Sequence, residues 1–123
     1  MIEIWINPAC SQCRTALSEL DAAGSDYVVR RYLDDPPTSE ELAAVLTRLG
    51  LEPWDIARAK ESAEEGIDLP RTPENREQWL AALAAHPRAI QRPIITASDG
   101  TTVVGRDPDS RQSVISAEIR STQ

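Results

Sequence analysis

The chain has 123 residues, fewer than the roughly 150 of a typical domain, so residues 1–123 are predicted to form a single domain. Apolar residues are 41% and charged residues 27%, and the sequence has no run of about 18 uncharged apolar residues, which excludes a bilayer-spanning helix. The formal net charge of -7 disfavours attraction to nucleic acid or anionic lipid, so neither nucleic acid nor a membrane is an expected partner. The basic residues are almost all arginines, whose planar guanidinium groups suit the binding of small oxyanions.

The first predicted elements are a strand, a helix and a second strand. Residues 1–6 are rich in β-branched and aromatic side chains and are predicted to form a strand that stops at Asn7. A helix is expected to begin near Cys10 and to end at Gly24, and residues 27–32 are predicted to form the next strand. A helical crossover of this kind joins two parallel strands.

The middle of the chain, about residues 38–86, is predicted to be an all-helical insert. The run Thr38-Ser39-Glu40-Glu41 has the capping-box pattern, and the helix that follows ends before Gly50. A short helical stretch is expected at Pro53, and Pro73 is placed in the first position of a further helix.

The last third of the chain contains a hairpin signal. The runs 94–97 and 101–104 flank Ser98-Asp99-Gly100, and the tail over residues 108–120 is weakly amphipathic. Strands alternating with helices in this order indicate an α/β fold.

The two cysteines form a Cys-x-x-Cys pair, Cys10-Ser11-Gln12-Cys13. No secretory signal is visible, so a cytoplasmic location is expected, and in that reducing compartment the pair is predicted to be redox-active or catalytic. A zinc site is not predicted, because beyond this pair the chain offers one histidine, His86.

Cys10 is predicted to be a reactive thiolate. It stands where a strand ends and a helix begins, so unpaired backbone amides and the positive end of the helix dipole would surround its sulfur. Cysteines in such positions have pKa values of roughly 3.5 to 7.5. Cys13 is one turn further on, which permits a disulfide with Cys10. Cys13 also shares an apolar stripe with Leu17 and Leu20, and an inert core thiol is the alternative for it.

Several motifs, taken in order and at matching separations, resemble the small thioredoxin-fold arsenate reductases of the glutaredoxin-coupled type, and the resemblance extends over essentially the whole chain. They are Asn7-Pro8-Ala9-Cys10 with Arg14, Leu33-Asp34-Asp35-Pro36-Pro37, His86-Pro87, and Gln91-Arg92-Pro93-Ile94-Ile95. The resemblance implies a thioredoxin-like mixed sheet with a helical insert. It also implies that Cys10 attacks arsenate and that no cofactor is bound. An external thiol reductant, either glutathione with glutaredoxin or thioredoxin, would complete the reduction to arsenite.

The resemblance further implies that three arginines hold the oxyanion. By position they are Arg58, Arg92 and Arg106, although Arg111 competes with Arg106 because the preceding hairpin is one residue longer than usual. Arg14, in the first helical turn, is either an additional anion contact or a solvated helix residue.

The resemblance also assigns two structural positions. A cis proline at Pro93, beside the active cysteine, is implied by the thioredoxin-like fold, and His86 is interpreted as a structural helix end. Many relatives carry a histidine where Ile6 stands, so the helix dipole and the arginines would have to lower the thiol pKa in this chain.

Cys13 keeps two other functions open. The reductases usually have a different residue at this position, and a second cysteine is typical of Spx-type redox regulators, which share the fold and bind RNA polymerase. A glutaredoxin-like disulfide reductase is the third hypothesis, which the long insert and the extra arginines disfavour. Within the reductase hypothesis, Cys13 is a candidate resolving cysteine that would form a disulfide with Cys10.

Overall fold

The computed structural model describes residues 1–122 and divides the chain into two compact units. The first unit combines residues 1–32 with the chain from Arg92 onward, and the second is Leu33–Gln91. The second unit therefore contains all of the predicted helical insert.

The first unit is built on one four-stranded mixed sheet. Its strands are β1 (Ile2–Ile6), β2 (Tyr27–Arg31), β3 (Ile94–Thr96) and β4 (Thr102–Val104), in the spatial order β2-β1-β3-β4. β1 is parallel to β2, and the pairs β1–β3 and β3–β4 are antiparallel. A mixed sheet of this kind confirms the predicted α/β class.

Five α-helices complete the described part of the chain, residues 1–122. In chain order they are α1 (Ser11–Ala22), α2 (Ser39–Leu49), α3 (Ala59–Glu64), α4 (Arg76–Ala85) and α5 (Pro108–Ser121). Three short 3-10 turns lie at Pro53–Ile56, Pro73–Asn75 and Pro87–Ala89. Within residues 1–122, no helix combines the length and the apolar character that crossing a bilayer requires.

The core of the first unit forms where α1 and α5 pack against the sheet. Ile2, Ile4 and Ile6 of β1 point into it, since alternate side chains of a strand lie on the same face of the sheet. The core side chains are Ile2, Ile4, Ile6, Cys13, Ala16, Leu20, Ile95, Ala97, Val114, Ile115 and Ala117. Cys13 is therefore a core side chain of α1 as well as a thiol.

The second unit is held by the packing of α2 against α4. The predicted capping box at the start of α2 is confirmed, because Thr38 Oγ1 accepts from the Glu41 N–H at 3.1 Å and Glu41 Oε1 accepts from the Thr38 N–H at 3.0 Å. Gly50 ends the helix with a φ of 69°, a conformation that glycine adopts without steric cost. Trp54 packs edge-on against Trp79, with ring centroids 6.4 Å apart.

Two local predictions differ from the structure. The helix expected to begin at Pro73 opens with a 3-10 turn, and the α-helix starts at Arg76. The prediction did not include α3, because its sequence, Ala59 to Glu64, offers no apolar stripe.

Gly105 directly follows β4 and packs against Pro93, the residue before β3, so closely that a side chain would not fit. Its N–H donates to the Pro93 carbonyl at 2.8 Å. A Cβ atom there would lie 2.6 Å from Ile95 Cδ1 and 3.3 Å from Pro93 Cγ. The Ile95 side chain is buried and cannot move away freely.

Replacing Gly105 with alanine is therefore expected to lower the free energy of unfolding by about 1–3 kcal/mol through overpacking. Urea denaturation followed by circular dichroism measures this change. The double variant Gly105→Ala/Ile95→Val is the control, because valine lacks the Cδ1 atom that clashes. The double variant should be less destabilised than the sum of the two single variants, and strict additivity would contradict the overpacking explanation.

Candidate active site

Three chain segments meet at one end of the sheet in the first unit, where β1 and β2 finish and β3 begins. Ile6 of β1 is in register with Arg31 of β2, so Asn7 and Tyr32 follow these strands at the same level. Trp5 pairs with Ile94 in the antiparallel β3, which places Arg92 at this end too. The loop from Asn7 to α1 begins there, and sheet ends of this kind are common locations for functional residues.

The turn before α1 presents Cys10 at the helix N-terminus. Asn7 Oδ1 accepts from the Ala9 N–H at 3.0 Å, and the Cys10 N–H donates to the Asn7 carbonyl at 2.9 Å. Cys10 is the N-cap residue, with extended backbone angles φ −88° and ψ 124°, and its side chain is half-buried. This is the strand-to-helix position predicted for it.

The pKa of the Cys10 thiol is lowered to about 7. Partial burial alone would raise this pKa, but hydrogen bonding of the sulfur outweighs that effect. The largest stabilising contribution comes from the backbone N–H of Cys13, followed by the Arg92 guanidinium and the Cys13 thiol. These donors favour the thiolate, which is the nucleophilic form of cysteine.

Alkylation of Cys10 by iodoacetamide is expected to rise with pH around a midpoint near 7. An ordinary free cysteine would give a midpoint of about 8.5. Because the pKa of Cys10 is about 7, about half of the Cys10 thiol is in the reactive thiolate form at neutral pH. Peptide mass spectrometry after timed alkylation separates Cys10 from Cys13. The urea-unfolded chain is the control, and a native midpoint as high as that of the unfolded chain would contradict the assignment of a stabilised thiolate.

Cys13 has the opposite character. It is completely buried, and burial raises the pKa of its thiol to about 12, with the charge of Cys10 adding to the increase. The Asn7 N–H donates to its sulfur at 3.5 Å. At neutral pH Cys13 is therefore a neutral thiol that shares a hydrogen bond with the Cys10 thiolate.

Arg92 and Arg106 lie together next to this end of the sheet. Arg92 directs its guanidinium towards the Cys10 sulfur, and its peptide bond to Pro93 is cis. Arg106 is exposed, and one of its terminal nitrogens donates to the Arg92 carbonyl at 2.8 Å. One thiolate and two guanidinium-bearing residues are thus brought to one end of the first unit.

The sequence matches the model of the ArsC family over residues 5–114, which is most of the chain. This chain belongs to the ArsC family. It is 54% identical, over 94% of its length and 99% of the relative, to an uncharacterized protein in the glnII region of Streptomyces viridochromogenes. It is 37% identical to an arsenate reductase of Neisseria meningitidis, over 93% of this chain and 97% of the relative.

The solved structures agree with the ArsC assignment. The arsenate reductase from Vibrio cholerae superimposes with a TM-score of 0.81 at 32% identity, covering 92% of this chain and 96% of the other. The thioredoxin-like fold that the motifs implied is confirmed by this likeness.

The remaining arginines implied by the ArsC resemblance have different surroundings. Arg111 is 6% exposed, and its guanidinium is bound by the Glu19 carboxylate and by the Gly105 carbonyl at 3.2 Å. It therefore stabilises the packing of α5 against α1 and is not available to an oxyanion, which leaves Arg106 without this competitor. Arg14 is exposed on α1 and donates to the Pro8 carbonyl at 3.3 Å.

Arg58 belongs to the second unit. There its Nε contacts the Glu61 carboxylate, and one terminal nitrogen donates to Gln91 Oε1 at 3.2 Å. Its backbone N–H donates to the Ala89 carbonyl at 2.7 Å, which fixes the start of α3. Its role towards an oxyanion stays a prediction.

His86 has a local partner in the same second unit. Its Nδ1 lies 3.2 Å from the Glu65 carboxylate, just after the end of α4. Among residues 1–122, no three His, Cys, Asp or Glu side chains cluster in a way that could hold a metal ion.

Tyr32 is a residue near the site that the motifs did not single out. It is 0% exposed, and burial raises the pKa of its hydroxyl to about 12. The positive charge of Arg92 opposes that rise, and the charges of both cysteines add to it, so the phenol lies among these three groups. The sequence signal was limited to a tyrosine at the end of a predicted strand, and its neighbours become evident only from the order of the strands.

Proposed function

We propose that this ArsC-family chain is a thiol-dependent arsenate reductase with Cys10 as its nucleophile. The observation that carries the proposal is the position of Cys10 at the N-terminus of α1, with a pKa of about 7, facing the Arg92 guanidinium. A nucleophilic sulfur beside a fixed cation is what attack on an oxyanion needs, since the cation stabilises the charge that develops. Relatives named arsenate reductase support the choice of arsenate.

The proposed reaction has two covalent steps. The Cys10 thiolate attacks the arsenic atom of arsenate, an S–As bond forms, and one arsenate oxygen leaves as water after protonation. A second thiolate then attacks the Cys10 sulfur, so that an S–S bond forms and the S–As bond breaks. The electron pair of the S–As bond leaves with arsenic, which reduces As(V) to As(III) and releases arsenite. Two thiols are oxidised to one disulfide.

Two arginines of the first unit are proposed to bind the oxyanion. Arg92 supplies charge beside the sulfur, and Arg106 holds the Arg92 backbone while its exposed guanidinium is available to a ligand. Arg14, in the first turn of α1, is a candidate for an additional contact. Arg58 is assigned to the same task on the family resemblance alone.

The second thiol is proposed to be Cys13. It is close enough to Cys10 to share a hydrogen bond, and it must lose its proton before it attacks, because burial raises the pKa of its thiol to about 12 and the Arg92 charge opposes that rise only in part. An external thiol, either glutathione with glutaredoxin or thioredoxin, would then reduce the Cys10–Cys13 disulfide. A reducing compartment such as the cytoplasm suits this cycle.

Production of arsenite from arsenate tests the function. The purified chain is supplied separately with a thioredoxin system, a glutaredoxin system with glutathione, and glutathione alone, and arsenite is quantified. Turnover with at least one donor is expected. An absence of arsenite with every donor, combined with a Cys10–Cys13 disulfide that forms and is reduced reversibly, would support the redox-regulator alternative.

Replacing Cys13 with serine is expected to block the release of arsenite in a single turnover without added thiol, because no internal sulfur can attack Cys10. The wild type should release arsenite and leave a disulfide that peptide mass spectrometry detects. Added glutathione should restore release in the variant. If the wild type contains no Cys10–Cys13 disulfide after one turnover, the resolving role is wrong, while the nucleophilic role of Cys10 stands.

A further inference from the structure

The hydroxyl group of Tyr32 is buried, and the role of this hydroxyl is not explained by the contacts described so far. The residue is completely enclosed, and its hydroxyl makes no hydrogen bond of normal geometry within residues 1–122. Buried hydroxyl groups are normally paired, because leaving one unpaired costs the free energy of its lost hydration. A buried hydroxyl without a partner beside reactive groups therefore requires an explanation.

The position of Tyr32 indicates which side chain its hydroxyl interacts with. Tyr32 follows β2 and Arg92 precedes β3, so the two residues flank the end of β1 at the same end of the sheet. Apart from burial, the Arg92 charge is the largest influence on the phenol, larger than that of either Cys13 or Cys10. The phenolic oxygen thus lies close to the guanidinium that faces the Cys10 sulfur.

We propose that Tyr32 is a positioning residue that acts through Arg92, its hydroxyl oxygen accepting a guanidinium hydrogen and holding Arg92 towards Cys10. The inference deepens the proposed function and rests on the anion-binding role of Arg92. A phenol suits this task because it stays neutral, so it orients the guanidinium without neutralising it. A carboxylate in the same place would compete with the thiolate and the oxyanion for the positive charge.

The variant Tyr32→Phe removes the hydroxyl and keeps the buried ring. The Cys10 alkylation midpoint is expected to rise by about half to one pH unit, because a less fixed guanidinium stabilises the thiolate less. Affinity for sulfate, used as an inert oxyanion and measured by calorimetry, should fall about 3- to 10-fold. The matched control is Tyr27→Phe on β2, whose hydroxyl donates to the exposed Asp21 carboxylate at 2.6 Å, and it should change neither value.

A double-variant cycle separates positioning from packing. If Tyr32 acts through Arg92, Tyr32→Phe has no further effect on the Cys10 midpoint in an Arg92→Ala background. An equal shift in both backgrounds, or no shift in either, would overturn the proposal. Neither outcome depends on arsenate turnover, so failure of this inference is distinguishable from failure of the proposed reaction.

A second measurement keeps the inference testable if Tyr32→Phe does not fold. The chain has two tyrosines, so ¹³Cζ-tyrosine labelling gives two assignable NMR signals in the wild type. The Tyr32 signal should shift when sulfate is added and when Arg92 is replaced by lysine, while the Tyr27 signal stays in place. A Tyr32 signal that is insensitive to both changes would refute contact with Arg92.

Discussion

Replacing Cys10 with serine is expected to abolish arsenate reduction, lowering turnover by at least about a thousandfold. A serine hydroxyl is not ionised near neutral pH, and the donors that lower the pKa of the Cys10 thiol to about 7 cannot turn it into a comparable nucleophile. Loss of the S–As intermediate, followed by mass spectrometry, should accompany the loss of arsenite production.

Sulfate binding is the control for this variant. Arg92 and Arg106 are unchanged in Cys10→Ser, so sulfate affinity measured by calorimetry should stay within about threefold of the wild type. Retained binding with lost turnover assigns the defect to the nucleophile rather than to a distorted site. Arsenate turnover that survives in Cys10→Ser would exclude the proposed mechanism.

Replacing Arg92 with alanine is expected to lower kcat/KM for arsenate by about a hundred- to a thousandfold. Two losses combine, since the oxyanion loses a fixed donor and the Cys10 thiolate loses a positive neighbour. Removing a positive charge disfavours the thiolate, so the pKa of Cys10 should rise from about 7 towards the ordinary value of about 8.5. The pH profile of kcat/KM should therefore move to higher pH.

The lysine variant separates charge from geometry at this position. Arg92→Lys keeps the positive charge but has no planar fork, so it should retain most of the lowered Cys10 pKa and lose oxyanion affinity by about tenfold. Arg120→Ala, on the exposed end of α5, makes the same change in net charge as Arg92→Ala and is the matched control. Equal effects from Arg120→Ala and Arg92→Ala would mean that net charge, not the position of Arg92, matters.

The elements that were predicted correctly carry local signals. Three of these signals are patterns of neighbouring residues: the β-branched and aromatic residues of β1, the capping box before α2 and the strand-to-helix junction at Cys10. These signals predict Cys10 as the candidate nucleophile without any knowledge of tertiary structure. α3 has no such signal, because its six residues are polar or small.

The features that were missed depend on contacts between distant residues. The sequence assigns Arg106 by position but keeps Arg111 as a competitor, and it does not show that Arg111 is buried against Glu19 on another helix. The importance of Tyr32 depends on the strand order, which places β1 between β2 and β3. Periodicity and spacing in the sequence show neither fact, because both depend on which helices and strands pack together in the folded chain.

The distance along the chain between Cys10 and Arg92 has a consequence during synthesis. A ribosome makes Cys10 early and the Arg92 guanidinium that stabilises its thiolate more than eighty residues later. Until β3 joins β1, the nascent Cys10 lacks this cation, and its sulfur is a weaker nucleophile at neutral pH. Contacts of such high sequence separation form late in folding. Oxidants and electrophiles therefore meet a less reactive cysteine until β3 has joined β1.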